Sequence, residues 1–278
     1  MPEGDVVRRT CARLHEALAG RTLLAAELRW PRLSTAVLAG ATVIEVAPRG
    51  KHILMRLDTG WTLYSHLKME GRWLIERSPA GSALTRRHDV RAILVTEPWT
   101  ALGLRLGRLD LVRTTDEPTL VGHLGPDVLE EEFDATRAVA NLVRVRGPIG
   151  AALLDQRNLA GIGTIWASES LFAERLNPWA ADLSDDELRQ VVTRARLLMQ
   201  ASLQRRHEPY VHGRSGRPCR RCGTTVRVAQ VGLPTRERAM FYCPGCQGGL
   251  APGDDGRPIA PLGAWPRGTS RPERRTFT

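Results

Sequence analysis

The sequence predicts an α+β protein in which an N-terminal helix and an antiparallel β-sandwich are followed by a helical domain and a β-hairpin. Three observations support this class. Short β-type runs fill positions 22–115, and from about position 130 the apolar period changes to that of amphipathic helices. Near the C-terminus, two Cys-x-x-Cys pairs enclose two further β-type runs.

The first predicted element is a helix that begins within the opening MPEGDVVRRT. Asp5 can act as its N-cap, because a carboxylate at that position accepts hydrogen bonds from free backbone N–H groups. Pro2 and Glu3 precede this cap, and helix formation accounts for neither of them. The buried stripe of the helix is predicted at Val7, Cys11, Leu14 and Leu18.

Seven short runs predict the strands of the sandwich. The tripeptide Asp58-Thr59-Gly60 lies between two of them and is typical of a hairpin turn. The runs are TLLAAELRW, ATVIEVAP, HILMRL, WTLYSHL, RWLIE, RAILVT and LDLVRT.

Four amphipathic segments predict the helices that follow, namely ATRAVANLV, IGAALLDQ, TIWASESLFAERL and DDELRQVVTRARLLMQASLQRR. Beyond Gln247 the chain consists mainly of Gly, Pro, Arg and Asp, a composition that predicts a disordered basic tail. These changes predict a β-rich domain, a helical domain, a cysteine-bearing hairpin and a tail, with the respective bounds 1–125, 130–210, 211–248 and 249–278.

The charge of the chain indicates a polyanionic partner. Its 278 residues carry a formal net charge of +10, and nucleic acid is the simplest such partner. Only two of the 40 basic residues are lysines, Lys51 and Lys68, which makes their placement informative. The sequence has no apolar run of about 18 residues and no export signal, so we expect a protein of the cytosol with no membrane contact. We also expect this protein to be a monomer.

The strongest local signal is Cys219-x-x-Cys222 followed, after twenty intervening residues, by Cys243-x-x-Cys246. Each pair can turn two thiolates towards one ion, so the two pairs predict a closed tetrahedral site for one structural Zn²⁺. A pair of disulfides or a redox motif is the alternative, which the lack of an export signal disfavours.

Two arginines, Arg236 and Arg238, fall near the tip of the hairpin between the cysteine pairs. In a chain this basic, such a hairpin is suited to lie along a phosphate backbone. A merely solvated arginine pair is an equally good interpretation of these two residues taken alone.

A second signal is LLDQRNLAGIGTIWASESLF at positions 153–172, where one helix runs into a glycine turn and another begins at about Thr164. Gly161 and Gly163 permit a sharp turn and a close approach to a ligand, and the free N–H groups of a helix start favour an anion. A helix hairpin that only packs is the alternative, and the segment alone favours it.

The third signal joins RGKHILMRL to SHLKMEGRW. Lys51 follows Gly50 at the start of a strand, and His66 ends another strand across the hairpin. Met69 lies in a turn just before Gly71, where an apolar side chain has no obvious core to enter. Without further context, a solvated lysine and a locally packed methionine explain this pattern equally well.

Together these motifs resemble the bifunctional DNA glycosylases that include formamidopyrimidine-DNA glycosylase and endonuclease VIII. The N-terminal Pro-Glu, the helix pair with its GIG turn and RAMFYCPGCQ are the most specific parts of the resemblance. It implies a catalytic β-sandwich, a helix-two-turn-helix domain and a zinc finger that act on damaged double-stranded DNA and abasic sites. The matching positions are 2–3, 49–52, 65–73, 124–126, 153–172 and 219–247.

The resemblance also implies a role for individual residues. Pro2 corresponds to the secondary-amine nucleophile, and Glu3 corresponds to the acid/base. Lys51 corresponds to the lysine that works beside the lesion, and Arg238 to the finger arginine that grips a phosphate. Met69 corresponds to the side chain that fills the gap left by the damaged nucleotide. Further DNA contacts are expected from His66, Gly161, Gly163, Thr164 and Arg236.

Three features depart from the family pattern. Thr164 stands where an asparagine that contacts phosphate is usual, and Val6 stands where a second glutamate is common. The PRRFG-like wedge of the oxidised-purine branch is missing from LGLRLGRLDLV. The missing wedge and the PEGD opening indicate the endonuclease VIII branch, for which we expect excision of oxidised bases, pyrimidines above all, and β,δ-elimination.

The alternative function is that of a non-catalytic protein that binds damaged DNA through the same helix pair and zinc finger. This alternative requires that Pro2 and Glu3 be accidental, or that Met1 be retained. The mass of the intact protein distinguishes the two, because a retained methionine leaves no free amine on Pro2.

Overall fold

The computed structural model describes residues 2–260, with the exception of the side chain of Ser82. Helix α1 spans Gly4–Leu18, and the predicted stripe of Val7, Cys11, Leu14 and Leu18 is buried along it. The prediction that Asp5 caps this helix is wrong, because the N-cap residue is Glu3 and Asp5 lies inside the first turn. The carboxylates of both residues bind groups of the other domain instead.

Two four-stranded antiparallel sheets form the predicted sandwich. The strand order is β2-β3-β4-β8 in one sheet and β1-β6-β7-β5 in the other. A four-residue helix, α2 (Ser82–Thr85), lies between two strands of the second sheet. The strands are β1 (Ala25–Leu28), β2 (Val43–Arg49), β3 (His52–Leu57), β4 (Trp61–His66), β5 (Arg72–Arg77), β6 (Val90–Val95), β7 (Trp99–Leu104) and β8 (Arg108–Arg113).

The core of the sandwich includes one face of α1. Leu14 of α1, Leu63 of the first sheet and Leu94 of the second belong to a single buried cluster. This packing fixes α1 against the sandwich. The residues at the start of α1 therefore lie at the end of the sandwich that faces the helical domain.

The helical domain follows a short connection made of a 3-10 turn (Thr114–Asp116) and helix α3 (Pro118–Val121). Its helices surround a second apolar core, and no helix within residues 2–260 is both long and apolar enough to cross a membrane. The last helix begins with a capping box in which Ser184 and Glu187 each bond the backbone N–H of the other. The helices are α4 (Ala135–Val143), α5 (Ile149–Leu154), α6 (Thr164–Ala173) and α7 (Asp185–Gln204).

The connection between the domains is tied to both of them. Asp127 forms a parallel bridge with Ala160, and its buried carboxylate accepts a hydrogen bond of 2.6 Å from the backbone N–H of Gly50. Arg196 of α7 donates to the carbonyl oxygens of Val128 and Glu130, each at 2.7 Å. The β2–β3 turn and the turn before α6 are thereby held against the same short segment.

The cysteine hairpin consists of β9 (Arg227–Val231) and β10 (Arg238–Tyr242), as the sequence predicts. The prediction of a disordered tail from residue 249 is wrong for its first residues. Asp254 forms a bidentate ion pair with Arg227 at 2.5 and 2.6 Å and accepts a hydrogen bond from the Tyr242 hydroxyl at 2.8 Å. These partners are buried beside the hairpin, so they order the segment that carries Asp254; positions 261–278 of the predicted tail lie outside the described residues.

Candidate active site

The start of helix α6 lacks a capping side chain of its own, because its N-cap residue is Gly163. Glu3 of the other domain takes this role. Its carboxylate accepts hydrogen bonds from the backbone N–H groups of Gly163 at 2.8 Å, Ile165 at 2.8 Å and Trp166 at 3.4 Å. An anion at a helix start also interacts favourably with the helix dipole, so Glu3 both caps α6 and is fixed by it.

Two glycines make this contact possible for different reasons. Gly163 has extended backbone, but a Cβ atom there would collide with the carboxyl group of Glu3. Gly161 has a φ of +101°, a conformation that favours glycine, and its carbonyl accepts the backbone N–H of Gly4 at 2.9 Å. The predicted glycine turn is therefore the contact surface for the N-terminal segment.

Lys51 reaches the same turn from the sandwich. Its Nζ donates a hydrogen bond of 2.6 Å to the carbonyl oxygen of Ile162. Burial lowers the pKa of Lys51 to about 8, with the charge of Glu3 raising it and that of Arg238 lowering it. The charge of Arg238, the exposed first residue of strand β10, thus reaches Lys51, so the start of this strand lies near the same site.

Burial likewise raises the pKa of Glu3 above its usual range, and this effect outweighs the opposing ones. The charge of Lys51 lowers the pKa, as do the three backbone N–H groups at the start of α6. A carboxyl group with a raised pKa can hold a proton nearer to neutral pH, which is what an acid catalyst requires.

Pro2 and Thr164 lie at the edge of this arrangement. Pro2 is half-buried and directly precedes Glu3, while Thr164 is the half-buried first residue of α6. The predicted site residues Pro2, Glu3, Lys51, Gly161, Gly163, Thr164 and Arg238 are therefore brought together at the junction of the two domains.

His66 and Met69 lie on the sandwich side of the site. Burial, together with the nearby charges of Lys68, Lys51 and Arg108, lowers the pKa of His66 to about 4. Its Nδ1 accepts the backbone N–H of Lys68 at 2.9 Å. Met69 follows in an exposed turn, where 64% of its surface is accessible to solvent. Because the Met69 side chain is exposed, it does not contribute to a core of the protein.

The four predicted metal ligands also converge. The Sγ atoms of Cys219, Cys222, Cys243 and Cys246 all lie within 4.8 Å of one another, and none forms a disulfide. Metal–sulfur bonds of about 2.3 Å in a tetrahedron place two sulfurs about 3.8 Å apart, so the cluster has the dimensions of a four-thiolate metal site. Arg236 lies in the exposed loop between the strands of this hairpin.

Two polar residues near the site were not predicted from the sequence. Asp127 holds the backbone of Gly50, the residue before Lys51. His212 has a buried Nδ1 without a hydrogen-bond partner within residues 2–260, and its backbone N–H donates to Glu169 of α6 at 2.8 Å. No sequence signal could identify either residue, because their partners lie 77 and 43 positions away along the chain.

The fold and the site define a class: two-domain proteins in which a β-sandwich with an N-terminal Pro-Glu meets a helix-two-turn-helix domain and a four-cysteine finger. Two family models match the chain, the formamidopyrimidine-DNA glycosylase N-terminal domain over residues 1–105 and the formamidopyrimidine-DNA glycosylase H2TH domain over residues 124–210. The chain therefore belongs to the formamidopyrimidine-DNA glycosylase family, as its motifs predict.

Curated relatives cover most of the chain. A protein named probable endonuclease 8 2, from Streptomyces coelicolor, is 45% identical over 92% of this chain and 98% of its own length. The DNA-(apurinic or apyrimidinic site) lyase Nei2 of Mycolicibacterium smegmatis is 38% identical over 89% of this chain and 99% of its own. The formamidopyrimidine-DNA glycosylase of Paracoccus denitrificans is 33% identical over 89% and 99%.

Solved structures share the fold. The MutM (Fpg) protein of Thermus thermophilus has a TM-score of 0.75 and 32% identity, and the match covers 90% of this chain and 100% of that one. The Lactococcus lactis enzyme bound to DNA with an abasic site has a TM-score of 0.77 and 22% identity, with 88% and 99% covered. The predicted fold class is thus confirmed.

Proposed function

We propose that this protein is a bifunctional DNA glycosylase and AP lyase of base excision repair. The observation that carries the proposal is the placement of Pro2 and Glu3 against the start of α6, beside Lys51. The names of its relatives, endonuclease 8, AP-site lyase and formamidopyrimidine-DNA glycosylase, support the same activity. We expect the enzyme to act on chromosomal DNA, in the cytosol of a bacterial cell.

The nucleophile in this proposal is the secondary amine of Pro2. After removal of Met1, the amine nitrogen attacks C1′ of the damaged nucleotide, and the N-glycosidic bond breaks as the base leaves with a proton. The nitrogen then gives up its proton, and the C1′–O4′ bond opens as O4′ takes up a proton, which leaves an iminium between the nitrogen and C1′. This iminium has no N–H proton to lose, so it cannot become a neutral imine and withdraws electrons from C2′. Loss of the C2′ proton then breaks the C3′–O bond, and a second elimination breaks the C5′–O bond.

The ionisation of the proposed groups suits this sequence of steps. An α-amino group titrates at about pH 7.7–8.0, so a useful fraction of Pro2 is unprotonated at neutral pH. Burial raises the pKa of Glu3, which favours its role as the acid that protonates the leaving group. Lys51 lies beside Glu3, where its charge can stabilise the carboxylate once the proton has been given away.

We assign the four-cysteine cluster to one structural zinc ion. All four thiolates would hold the ion, which leaves no coordination position open for chemistry. The role of the ion is then to keep the hairpin folded, so that Arg238 and Arg236 can contact the phosphate backbone. The Thr164 hydroxyl at the start of α6 offers a further phosphate contact. Gly161 and Gly163 have no side chains, so we expect the turn that they form to allow a close approach of the DNA.

We assign oxidised pyrimidines and abasic sites in duplex DNA as the preferred substrates. The endonuclease 8 relative from Streptomyces shares more identity with the chain than the formamidopyrimidine-DNA glycosylase from Paracoccus does, at 45% against 33%. Met69 is exposed and unpacked, as expected for a side chain that fills the gap when the damaged nucleotide is flipped out. The charges of Lys68 and Lys51 act on His66, and we expect His66 to contact a neighbouring phosphate in this cationic region.

Borohydride trapping tests the proposal. Reduction during turnover should join the protein covalently to the DNA sugar, and the adduct should map to the N-terminal peptide. Pro2→Gly should lose most trapping, whereas Glu3→Gln should lose base excision and keep part of its cleavage of a preformed abasic site. An adduct on Lys51, or the absence of any adduct, would reject the Pro2 mechanism, and DNA binding without an adduct would favour the non-catalytic alternative.

A panel of defined lesions tests the substrate assignment separately. We expect faster excision of oxidised pyrimidines than of 8-oxoguanine opposite cytosine, and Met69→Ala should impair excision from duplex more than from single strands. A strong preference for 8-oxoguanine opposite cytosine would contradict the proposed branch.

A further inference from the structure

Asp5 has a carboxylate that does not cap its own helix. The side chain is only 7% exposed, although it lies in the first turn of α1. Its Oδ1 accepts a hydrogen bond of 3.0 Å from the indole Nε1 of Trp166, and its Oδ2 accepts one of 3.1 Å from the Ser202 hydroxyl. Arg9 forms an ion pair with the same oxygen at 3.2 Å. Two of these three donors belong to the helical domain, so Asp5 is an interdomain contact.

Trp166 contacts both acidic residues of the N-terminal segment. Its backbone N–H donates to Glu3, at 3.4 Å, and its indole N–H donates to Asp5. The side chain is buried in the core of the helical domain, with 2% of the residue exposed. An indole has one N–H and no acceptor, so the orientation of the ring sets where the carboxylate of Asp5 must lie.

Three consecutive residues are thereby attached to α6 and the turn before it. Glu3 accepts hydrogen bonds from the start of α6, Gly4 donates to the carbonyl of Gly161 at 2.9 Å, and Asp5 accepts from Trp166. Pro2 directly precedes them, and neighbouring Cα atoms lie only about 3.8 Å apart. The position of the Pro2 nitrogen is therefore determined by how firmly these three residues are held.

We propose that the Asp5–Trp166 hydrogen bond is a positioning contact that orients the amine of Pro2 for its attack on C1′. Neither residue touches the reacting atoms. Glu3 alone fixes the first turn of α1 at one point, and the Asp5–Trp166 hydrogen bond prevents this turn from rotating about that point. Asp5 directly precedes Val6, the position where the family commonly has a second glutamate. This inference rests on the proposed function, since it concerns the geometry of the proposed nucleophile.

The expected effect is kinetic. A displacement of about 1 Å at a reacting group can slow a reaction by about 100-fold. Loss of one anchor out of three should allow a smaller displacement, so we expect the trapping step to slow by about 10-fold. DNA affinity should change by less than about twofold, because the phosphate contacts proposed above do not involve Asp5 or Trp166.

The test uses the full-length protein after removal of Met1. Trp166→Phe removes the indole donor and keeps a buried ring, Asp5→Ala removes the acceptor, and Asp5→Asn keeps an oxygen acceptor without the charge. The rate of borohydride trapping is measured in single turnover, at saturating enzyme, on duplex DNA with a preformed abasic site. Affinity is measured on a duplex with a tetrahydrofuran analogue, which cannot form the iminium.

We expect Trp166→Phe and Asp5→Ala to slow trapping by about 10-fold each, and their combination to slow it no further than either alone. Asp5→Asn should trap at close to the wild-type rate. Trp73→Phe is the matched control, because it removes a buried indole N–H that donates to Ser65 within the sandwich, at 3.2 Å. This control should trap at the wild-type rate.

Three outcomes would overturn the inference: wild-type trapping by Trp166→Phe, equal losses of trapping rate and affinity, or an Asp5→Asn variant as slow as Asp5→Ala. If Asp5→Ala does not fold, Trp166→Phe and Asp5→Asn still decide the question. Pro2→Gly separates this inference from the proposed function. Undiminished trapping by that variant rejects Pro2 itself, whereas lost trapping by Pro2→Gly together with normal trapping by Trp166→Phe rejects only the positioning contact.

Discussion

The interdomain junction and the finger are held together in opposite ways. In the junction, Glu3 binds backbone groups 160 or more positions away, and Lys51 binds a carbonyl 111 positions away. In the finger, residues 219–246 contain all four cysteines of the cluster. The junction is therefore assembled by the packing of two domains, whereas the cysteine cluster is assembled within one short segment of the chain.

This difference identifies what stabilises each region. The junction lies between two large apolar cores and has buried carboxylates whose hydrogen bonds are satisfied by backbone N–H groups. The finger has a much smaller buried cluster, which itself contains Cys219 and Cys243. We expect a region with so little apolar burial to depend on a bound ion for its stability, and we expect no such dependence for the junction.

Removing one thiolate should have the largest effect. Cys243→Ser should lose the metal and unfold the hairpin, while the sandwich stays folded on its own core. Structural zinc supplies about 10–16 kcal/mol in finger peptides, far more than any single contact in the junction. Metal analysis measures the loss of the ion, and hydrogen exchange measures the unfolding of the hairpin and the retained fold of the sandwich. Cys11→Ala, which removes the buried thiol of α1, is the control and should keep the metal. Full zinc content and full DNA affinity in Cys243→Ser would contradict the ligand assignment.

The addition of a single methyl group at the junction should have the next largest effect, which is on the rate of base excision. Gly163→Ala places a Cβ against the carboxyl group of Glu3, so the contact must open. We expect base excision to fall by about 100-fold, which corresponds to about 2.7 kcal/mol in the activation free energy, with the metal retained in the finger. Gly81→Ala is the matched control, since a Cβ at Gly81 meets no atom within 4 Å. Unchanged single-turnover excision by Gly163→Ala would show that the Glu3 contact is not needed for activity.

A change at the tip of the finger should have a similar or smaller effect: it should weaken DNA binding and reduce activity while the fold stays intact. Arg238→Ala should weaken DNA binding by about 1.5–3 kcal/mol, as expected for a charge-assisted hydrogen bond to phosphate. The slope of log K against log salt should decrease by about one phosphate contact. Arg189→Ala, at an exposed position near the start of α7, is the control. Salt titration by fluorescence anisotropy measures the slope, and an unchanged slope for Arg238→Ala would argue against a phosphate contact.

The last predicted effect is on stability alone and is a pH dependence specific to the junction. Burial lowers the pKa of Lys51 to about 8, below that of a lysine in the unfolded chain. Above pH 8 the folded protein loses this proton while the unfolded chain keeps it, so the contribution of Lys51 to the free energy of unfolding rises with pH.

Chemical denaturation between pH 7 and pH 10 measures this contribution. The stability of the wild-type protein should rise with pH relative to Lys51→Met, and the exposed Lys68→Met serves as the control. A difference between wild type and Lys51→Met that stays constant over this range would show that Lys51 is not buried at the junction.

The sequence alone was sufficient for the features whose partners are close along the chain. The cysteine spacing predicted which four thiolates converge, and the apolar stripe of α1 predicted which of its residues are buried. Alternating runs predicted the strands of an antiparallel sandwich, because side chains on a strand alternate between its two faces. The GIG turn and the Pro-Glu opening were recognised as functional only through their resemblance to a family.

The tertiary structure alone decided what the buried polar groups bind. The sequence predicted Asp5 as a helix cap, but its carboxylate binds Trp166 of the other domain. It predicted a disordered tail from residue 249, but Asp254 forms an ion pair with Arg227 on the hairpin. In both cases a carboxylate binds a partner that is far away along the chain. Burial makes an unpaired charge costly, and which charges are buried is determined only when the domains pack.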